Sequence, residues 1–457
     1  IRLFKDLVNG PTSGDIVLIT GIVRTRQMSP SSKQRFFDIF IEANYIETLN
    51  KEATSFEIDE CEKEEFEAMA KNPIIYEQIT DSIVPSIHGY DKIKKAIAYQ
   101  QFGGVIHKKP DITIRGNIHV LLIGDPAVAK SQILQASQKL APRGVYTSGK
   151  GATGVGLTAA VNKTKEGDWA LDAGALVLGD KGLVCIDEID KMDNNDRVAI
   201  HEAMEQQTIS INKAGINRRL NARCAVLAAA NPVMGRYDPE KTVAQNVSSL
   251  PITILSRFDL IYIMRDQPQE EQDIEMAGHV LGLTSTKTTL DTELLRKYIA
   301  YAQKIKPVLS MEANECLRKF YVEMRKGTNN GNGNGIGITL RQLEGLVRLT
   351  EAHARMALRK QAILEDAQAA IQIMKDSLED VGLNIESELI KSKPETLAEK
   401  MAATRELFSD GQEHMIDEIK VQMKMKLGMN EEIDSILHKL REEGSIFEPR
   451  FGYLQKV

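Results

Sequence analysis

The chain has 457 residues, 42% of them hydrophobic and 27% charged, with a net charge of −6. These are ordinary values for a protein that buries large cores, so roughly two to four domains are expected. A uniformly basic surface is excluded, and any nucleic-acid binding must come from local basic devices. No run approaches the roughly 18 apolar residues of a membrane span, and no secretory signal opens the chain. The four cysteines, Cys61, Cys185, Cys224 and Cys316, are far apart with no C-x-x-C pair, and read as reduced thiols rather than disulfides or a zinc site.

Ile1 opens in mid-motif, and the chain is expected to be a fragment. Asp15–Val23 and Phe36–Glu42 predict two strands joined by a polar, basic turn. Glu57–Lys71 predicts a short acidic helix leading to Pro73, with a larger module starting near Tyr76.

In that module a buried-strand run, His119–Ile123, ends in Gly124-Asp125-Pro126-Ala127-Val128-Ala129-Lys130-Ser131, followed by Gln132. This is a phosphate loop. Backbone N–H groups of a tight turn and a helix start cradle phosphates, the Lys130 ammonium reaches the terminal phosphates, and the Ser131 hydroxyl takes Mg²⁺. Ala129 stands where the general pattern has a second glycine. A second apolar run, Gly182–Ile186, delivers Asp187 and Glu188 to its C-terminal end, the edge where open α/β sheets bind ligands. Asp187 is expected to hold Mg²⁺ through water, and Glu188 to polarise the attacking water.

Two hairpins are predicted around these strands. Thr158–Leu171 flanks a Glu166-Gly167 turn with near-alternating residues and carries Lys163, Lys165 and Trp169, the last expected to pack the hairpin base. Thr208–Arg223 has its tip at Lys213-Ala214-Gly215, with Arg218, Arg219 and Arg223 behind it. The small apolar strand Cys224–Ala230 then ends in Asn231-Pro232, where the Asn231 amide can hold the attacking water. Arg257, in Leu255-Ser256-Arg257-Phe258-Asp259 before the strand Leu260–Ile263, suits a finger for transition-state charge, a device worth roughly 10³–10⁵ in rate.

Glu293–Met324 and Leu340–Lys375 are long amphipathic helical stretches, the second with a core face at Leu340, Leu343, Val347, Ala354 and Leu358. A Gly/Asn loop, Gly327–Gly335, lies between them. After a polar linker at Ser387–Lys393, Glu395–Val457 reads as three helices and two short strands about Pro449-Arg450-Phe451-Gly452.

The set Gly124–Ser131, Asp187-Glu188, Asn231-Pro232, Ser256-Arg257-Phe258 and Thr339–Glu344 resembles the AAA+ module of minichromosome maintenance (MCM) proteins, the replicative DNA helicases of archaea and eukaryotes. The family favours Ala before the loop Lys, as at Ala129; it usually has Gly or Ser where this chain has Ala127. The resemblance implies an α/β fold: an AAA+ P-loop three-layer sandwich with a parallel sheet. It adds a helical lid, a C-terminal winged helix and a partial N-terminal OB-like segment. The domains would be 1–56 (OB-like remnant), 57–75 (linker), 76–268 (ATPase core with two hairpin insertions), 269–386 (lid), 387–394 (linker) and 395–457 (winged helix). ATP or ADP with Mg²⁺ would occupy the site. Lys213, and with it Lys163 and Lys165, would grip single-stranded or forked DNA by phosphate contact. Arg341 would be a second sensor reaching the neighbour's nucleotide in a homo-oligomeric, hexameric ring. Other replication proteins are expected as partners, and no membrane. The location would be cytoplasmic in an archaeon and nuclear in a eukaryote. Two alternatives stand: an AAA+ remodeller whose hairpin engages a protein, and a DNA clamp whose nucleotide only drives assembly. Glu188 and Arg257 argue against the clamp.

Overall fold

The computed structural model describes residues 1–4, 7, 17–27, 37–48, 59–111, 113–126, 128–149, 157, 159–163, 169–213, 216–233, 235–238, 243–247, 250–265, 278, 290–328, 340–381, 414–415, 433–442, 446–447, 449 and 453–456. It divides into two units, Ile1–Phe320 with Asn334–Leu383, and Tyr321–Gly333 with Asn384–Val457.

The first unit opens with an antiparallel pair, β1 (Val17–Gln27) and β2 (Phe37–Thr48). Both strands continue past the C-terminal ends of the segments that predict them, because ladder pairing runs on through polar residues such as Arg24 and Glu47. The register shifts between Thr20 and Gly21, where a Cβ would lie 2.4 Å from the Glu42 carbonyl oxygen, so this bulge requires glycine. The acidic helix predicted at Glu57–Lys71 is α1 (Glu60–Ala70). Its Phe66 is fully buried and meets the Tyr298 ring edge-on at 5.5 Å. Next come α2 (Ile75–Asp81), α3 (Asp91–Phe102) and a small hairpin, β3 (His107–Lys108) with β4 (Thr113–Ile114).

The core follows as β5 (Val120–Gly124), α4 (Lys130–Leu140), β6 (Gly144–Ser148), β7 (Ala159–Lys163), β8 (Trp169–Ala173), α5 (Ala175–Leu178), β9 (Leu183–Asp187) and α6 (Asn194–Gln206). It continues through β10 (Thr208–Lys213), β11 (Ile216–Asn221), β12 (Ala225–Ala230), α7 (Val243–Asn246), α8 (Ile252–Leu255) and β13 (Leu260–Met264). Five of the strands form one parallel sheet in the order β13-β5-β12-β9-β6. Strands covered on both faces read as continuous apolar runs rather than alternations, which is how β5, β9 and β12 appear in the sequence. Leu121, Ile123, Val184, Ile186, Val226 and Ala228 share a core with Ile200 and Met204 of α6 and Ile254 of α8. Side chains alternate across a strand, so Leu122, Cys185 and Leu227 take the other face, where α4 packs. Three layers result. The two predicted hairpins are present as β7–β8, pairing Lys163 with Trp169, and β10–β11, pairing Lys213 with Ile216.

The lid comprises α9 (Thr292–Ala302), β14 (Val308–Leu309), α10 (Met311–Thr328), α11 (Leu340–Met356), β15 (Gln361–Ala362) and α12 (Leu364–Asp380). Asp291 caps α9 by accepting the Glu293 and Leu294 N–H groups. Leu340–Lys375 is thus two helices: α11 stops at Met356, Leu358 turns left-handed at φ 52°, and Gln361–Ala362 pairs in parallel with β14. The predicted core face of α11 also shifts. Leu340 is 65% exposed, whereas Leu346, Leu349, Ala352 and Met356 are buried along with Ala354. Buried Arg348, Glu351 and Arg355 cause the shift, since each has polar partners that make its burial tolerable. Of the Gly/Asn loop, Gly327 and Thr328 belong to α10, and the remainder lies outside the described residues.

Besides the end of α10 from Tyr321, the described elements of the second unit are β16 (His414–Met415), α13 (Ile433–Glu442), β17 (Ile446–Phe447) and β18 (Tyr453–Lys456). The strands pair antiparallel in the order β16-β18-β17. The linker at 387–394 lies outside the described residues. Among the described residues no helix is long and apolar enough to cross a membrane.

Candidate active site

β5 delivers the phosphate loop to the C-terminal edge of the sheet. A Cβ on Gly124 would stand 2.5 Å from the Met264 carbonyl oxygen, so glycine lets the loop leave tight against β13. Asp125 donates its N–H to that same carbonyl and accepts the Tyr237 N–H on Oδ1 at 2.7 Å, anchoring the loop at its first turn. Ala129 is left-handed, φ 60° and ψ 16°, and N-caps α4. Its place is where the general motif has glycine, and the Cβ adds roughly 1–2 kcal/mol of strain. Lys130 is buried, with Nζ donating to the carbonyls of Gly124 (2.7 Å) and Asp125 (2.5 Å), under the arch of the loop. Burial lowers its pKa, against the pull of Asp125, Asp187 and Asp190. Ser131 and Gln132 are exposed in the first turn of α4, an 11-residue helix whose N-terminal end favours anions. Pro126 is exposed, Val128 is buried, and Ala127 lies outside the described residues.

β9, two places along the same edge, ends at Asp187. Its Oδ2 accepts the Tyr146 hydroxyl at 3.0 Å and its Oδ1 accepts the Glu188 N–H at 2.9 Å, which fixes the carboxylate plane. Glu188 is left-handed at φ 50° and pairs through Oε1 with Lys191 Nζ at 2.5 Å. Asn231 follows the last residue of β12, the strand between β5 and β9, and its N–H reaches Asp190 Oδ1 at 3.1 Å. Lys130, Ser131, Asp187, Glu188 and Asn231 therefore gather at one edge of three adjacent strands. A hydroxyl and an oriented carboxylate are the hard oxygen donors Mg²⁺ takes while keeping waters, so this donor set fits that ion.

Arg257 stands elsewhere. It precedes β13, whose start is pinned by the Asp259 N–H donating to the His119 carbonyl at 2.9 Å, immediately before β5. This is the N-terminal edge of the parallel sheet. A five-residue strand separates it from the phosphate loop by about 15 Å, beyond the reach of one side chain. The Arg257 guanidinium donates Nη1 to the Thr253 carbonyl and Nη2 to Glu205 Oε2, and its side chain is 15% exposed. Arg341, in the first turn of α11, donates Nη2 to Glu205 Oε1 at 2.5 Å and approaches Ser256 Oγ with Nη1 at 3.5 Å. Both candidate arginines thus meet on one carboxylate near the end of α6. Burial pushes Glu205 upward, but the hydrogen bond and charge of Arg257, and those of Arg341, leave it below its ordinary value. These groups line a cavity of about 250 Å³ with Arg115 and Arg348.

Lys213 ends β10, but its side chain, like those of Lys163 and Trp169, lies outside the described residues, as does all of Lys165. Two of the arginines behind the Lys213 tip brace the hairpin and its base. Arg219 donates to Thr208 Oγ1 at 3.0 Å, and Arg223 forms an ion pair with Asp180 at 2.6 Å.

Sequence reasoning missed Glu205, Tyr146, Lys191 and Arg115. Glu202 and Glu205 look like an ordinary solvated helix face, and Arg115 looks like an isolated cation. One usable signal was the seven-residue spacing of Arg341 and Arg348, which places both on one face of α11.

The sheet order, the phosphate loop on its central strands and the arginine cluster on its far edge define the AAA+ class of P-loop nucleotide-binding proteins. Residues 62–284 match the MCM P-loop domain, and residues 293–378 match the MCM AAA-lid domain. The minichromosome maintenance protein MCM of Saccharolobus solfataricus is 46% identical over 100% of this chain and 69% of its own length. DNA replication licensing factor MCM6 of Oryza sativa subsp. indica is 46% identical over 70% of this chain, and mcm5-A of Xenopus laevis is 46% identical over 71%. The chain covers 39% and 46% of those two relatives. It belongs to the minichromosome maintenance family, the MCM-type replicative helicases, as the sequence resemblance implied.

Proposed function

We propose that this chain is the motor portion of an ATP-driven DNA helicase that works as a ring, most simply a hexamer, hydrolysing ATP at the seams between copies. The observation that carries this reading is the placement of complementary half-sites on opposite edges of one sheet. Lys130, Asp187 and Glu188 are at the C-terminal edge, while Arg257 and Arg341 are beyond their reach at the other. Stacking copies edge to edge would bring one half-site onto the next.

At the seam the loop N–H groups and the start of α4 bind the phosphates, and Lys130 exchanges its two carbonyl partners for phosphate oxygens. Ser131 and Asp187 would hold Mg²⁺, which when bound neutralises phosphate charge and orients it. Glu188 leaves Lys191 and takes the proton of the attacking water, which the Asn231 amide orients. Arg257 and Arg341 of the adjacent copy stabilise charge developing on the transferring phosphate.

The motion would be carried by β12. One end of this strand bears Asn231; the other is fed directly by the β10–β11 hairpin. A shift at the phosphate therefore has a short, rigid path to Lys213, whose ammonium suits sequence-blind contact with DNA phosphates. Lys163 and Lys165 on the other hairpin are secondary candidates for the same contact. We assign residues 1–56 to an OB-like segment and 395–457 to a winged helix that contacts DNA or other replication proteins. The protein would act where the chromosome is, in the cytoplasm of an archaeon or the nucleus of a eukaryote.

The test is strand displacement on forks with a single-stranded overhang at either end, run beside DNA-stimulated ATPase. ATP-dependent displacement is expected. ATPase that responds to a protein ligand but not to DNA would instead identify a protein remodeller.

A further inference from the structure

We propose that Glu205 is a latch: a carboxylate in the same chain that holds Arg257 and Arg341 together and that the neighbour's phosphate must displace. This rests on the seam reading above and adds to it a competitor for the two arginines. The geometry is specific. Each oxygen of the one carboxylate takes a different arginine, Oε2 from Arg257 and Oε1 from Arg341. The arginines come from separate elements, the turn after α8 and the first turn of lid helix α11. The other Nη group of Arg257 is also held within the chain. Nη1 is on the Thr253 carbonyl, and Nε–H is buried without a hydrogen-bond partner among the described residues. Both Arg257 Nη groups are thus held by partners in the same chain and the side chain is only 15% exposed, so a phosphate that takes both arms of the guanidinium must displace Glu205, the exposed one of the two partners. Glu205 is 45% exposed and Arg341 41%, so an incoming anion has access to the pair. Phosphate carries more charge than carboxylate and accepts both guanidinium forks, so the exchange runs forward when nucleotide is present. Because the latch joins α6 to α11, releasing it would also free the lid start from the ATPase core.

Glu205→Gln keeps the shape and removes the charge. If Glu205 competes with phosphate, KM for ATP in the assembled protein should fall about threefold to tenfold, the range for losing one or two partly exposed ion pairs. The change in kcat should be the smaller of the two. Glu205→Asp, which keeps the charge, should return KM toward wild type, and the thermal midpoint of each variant verifies folding. A KM that is unchanged or raised in Glu205→Gln, or a fall confined to kcat, overturns the latch. The seam reading fails separately. If Arg257→Ala retains turnover, the arginine has no role at the phosphate whatever Glu205 does. If Arg257→Ala is inactive while Glu205→Gln leaves KM unchanged, the latch alone is wrong.

Discussion

Arg348 donates to Asp259 at 2.6 Å, tying the middle of lid helix α11 to the start of β13. Arg115 holds the same carboxylate with Nη1 at 3.0 Å and Nη2 at 3.2 Å, and the His119 N–H adds a fourth donor at 2.8 Å. Both members of the Asp259–Arg348 pair are almost fully covered. Removing one partner strands buried charge, so Asp259→Ala should cost about 3–5 kcal/mol in denaturant unfolding. A loss below about 1 kcal/mol would show that solvent or rearrangement compensates, contrary to the packing seen here.

The same region sets acid sensitivity. Burial pushes Asp259 upward, but Arg115 and Arg348 more than offset it and hold the carboxyl well below its ordinary 3.8. Its folded value is thus below its unfolded one, so its contribution is present above about pH 4 and fades as pH falls further. His119 behaves alike at higher pH. Burial holds it well below its ordinary 6.5, and its Nδ1 accepts the Val226 N–H at 3.1 Å, which requires the neutral ring. Stability should therefore decline as pH falls below 6.5, by up to about 1.4 kcal/mol per pH unit. His119→Gln, which keeps an acceptor without titrating, should flatten the thermal midpoint between pH 6.5 and about 5. An equally steep wild-type and variant profile would assign the slope elsewhere.

Tyr146 orients Asp187 from the outermost strand of the sheet. Tyr146→Phe removes one hydrogen bond, worth about 0.5–1.5 kcal/mol, so the Mg²⁺ needed for half-maximal ATPase should rise about threefold to tenfold. Saturating Mg²⁺ should rescue the rate. A defect that Mg²⁺ leaves untouched would contradict the orienting role.

If the hairpin grips DNA through phosphate charge as proposed, Lys213→Ala should leave ATP turnover within about twofold and abolish strand displacement. Unwinding at the wild-type rate would remove Lys213 from the DNA path.

Much of this organisation was legible from the residues. The apolar runs at Val120–Gly124, Leu183–Asp187 and Ala225–Ala230 are sheet strands, and the carboxylates and amide at their ends share one edge. What was not legible depends on pairing in space. Glu205 reads as surface until two arginines from distant segments close on it. Arg348 and Glu351 break the apolar period of α11 because each is buried with a partner that periodicity cannot reveal. The break between α11 and α12 was hidden because both helices are amphipathic, and the left-handed turn at Leu358 carries no glycine or proline to announce it.

The proposed ring assembles each catalytic centre from two copies of the chain. Its most direct test mixes two variants before assembly: Glu188→Gln, which lacks the base, and Arg257→Ala, which lacks the finger. Each alone should bind nucleotide and hydrolyse almost none. Mixed rings contain seams that pair an intact Glu188 face with an intact Arg257 face, so ATP turnover should reappear, approaching one quarter of wild type at equal proportions if subunits mix at random and seams act independently. Mixed assemblies, verified by size, that remain as inactive as their parents would contradict a site shared between copies.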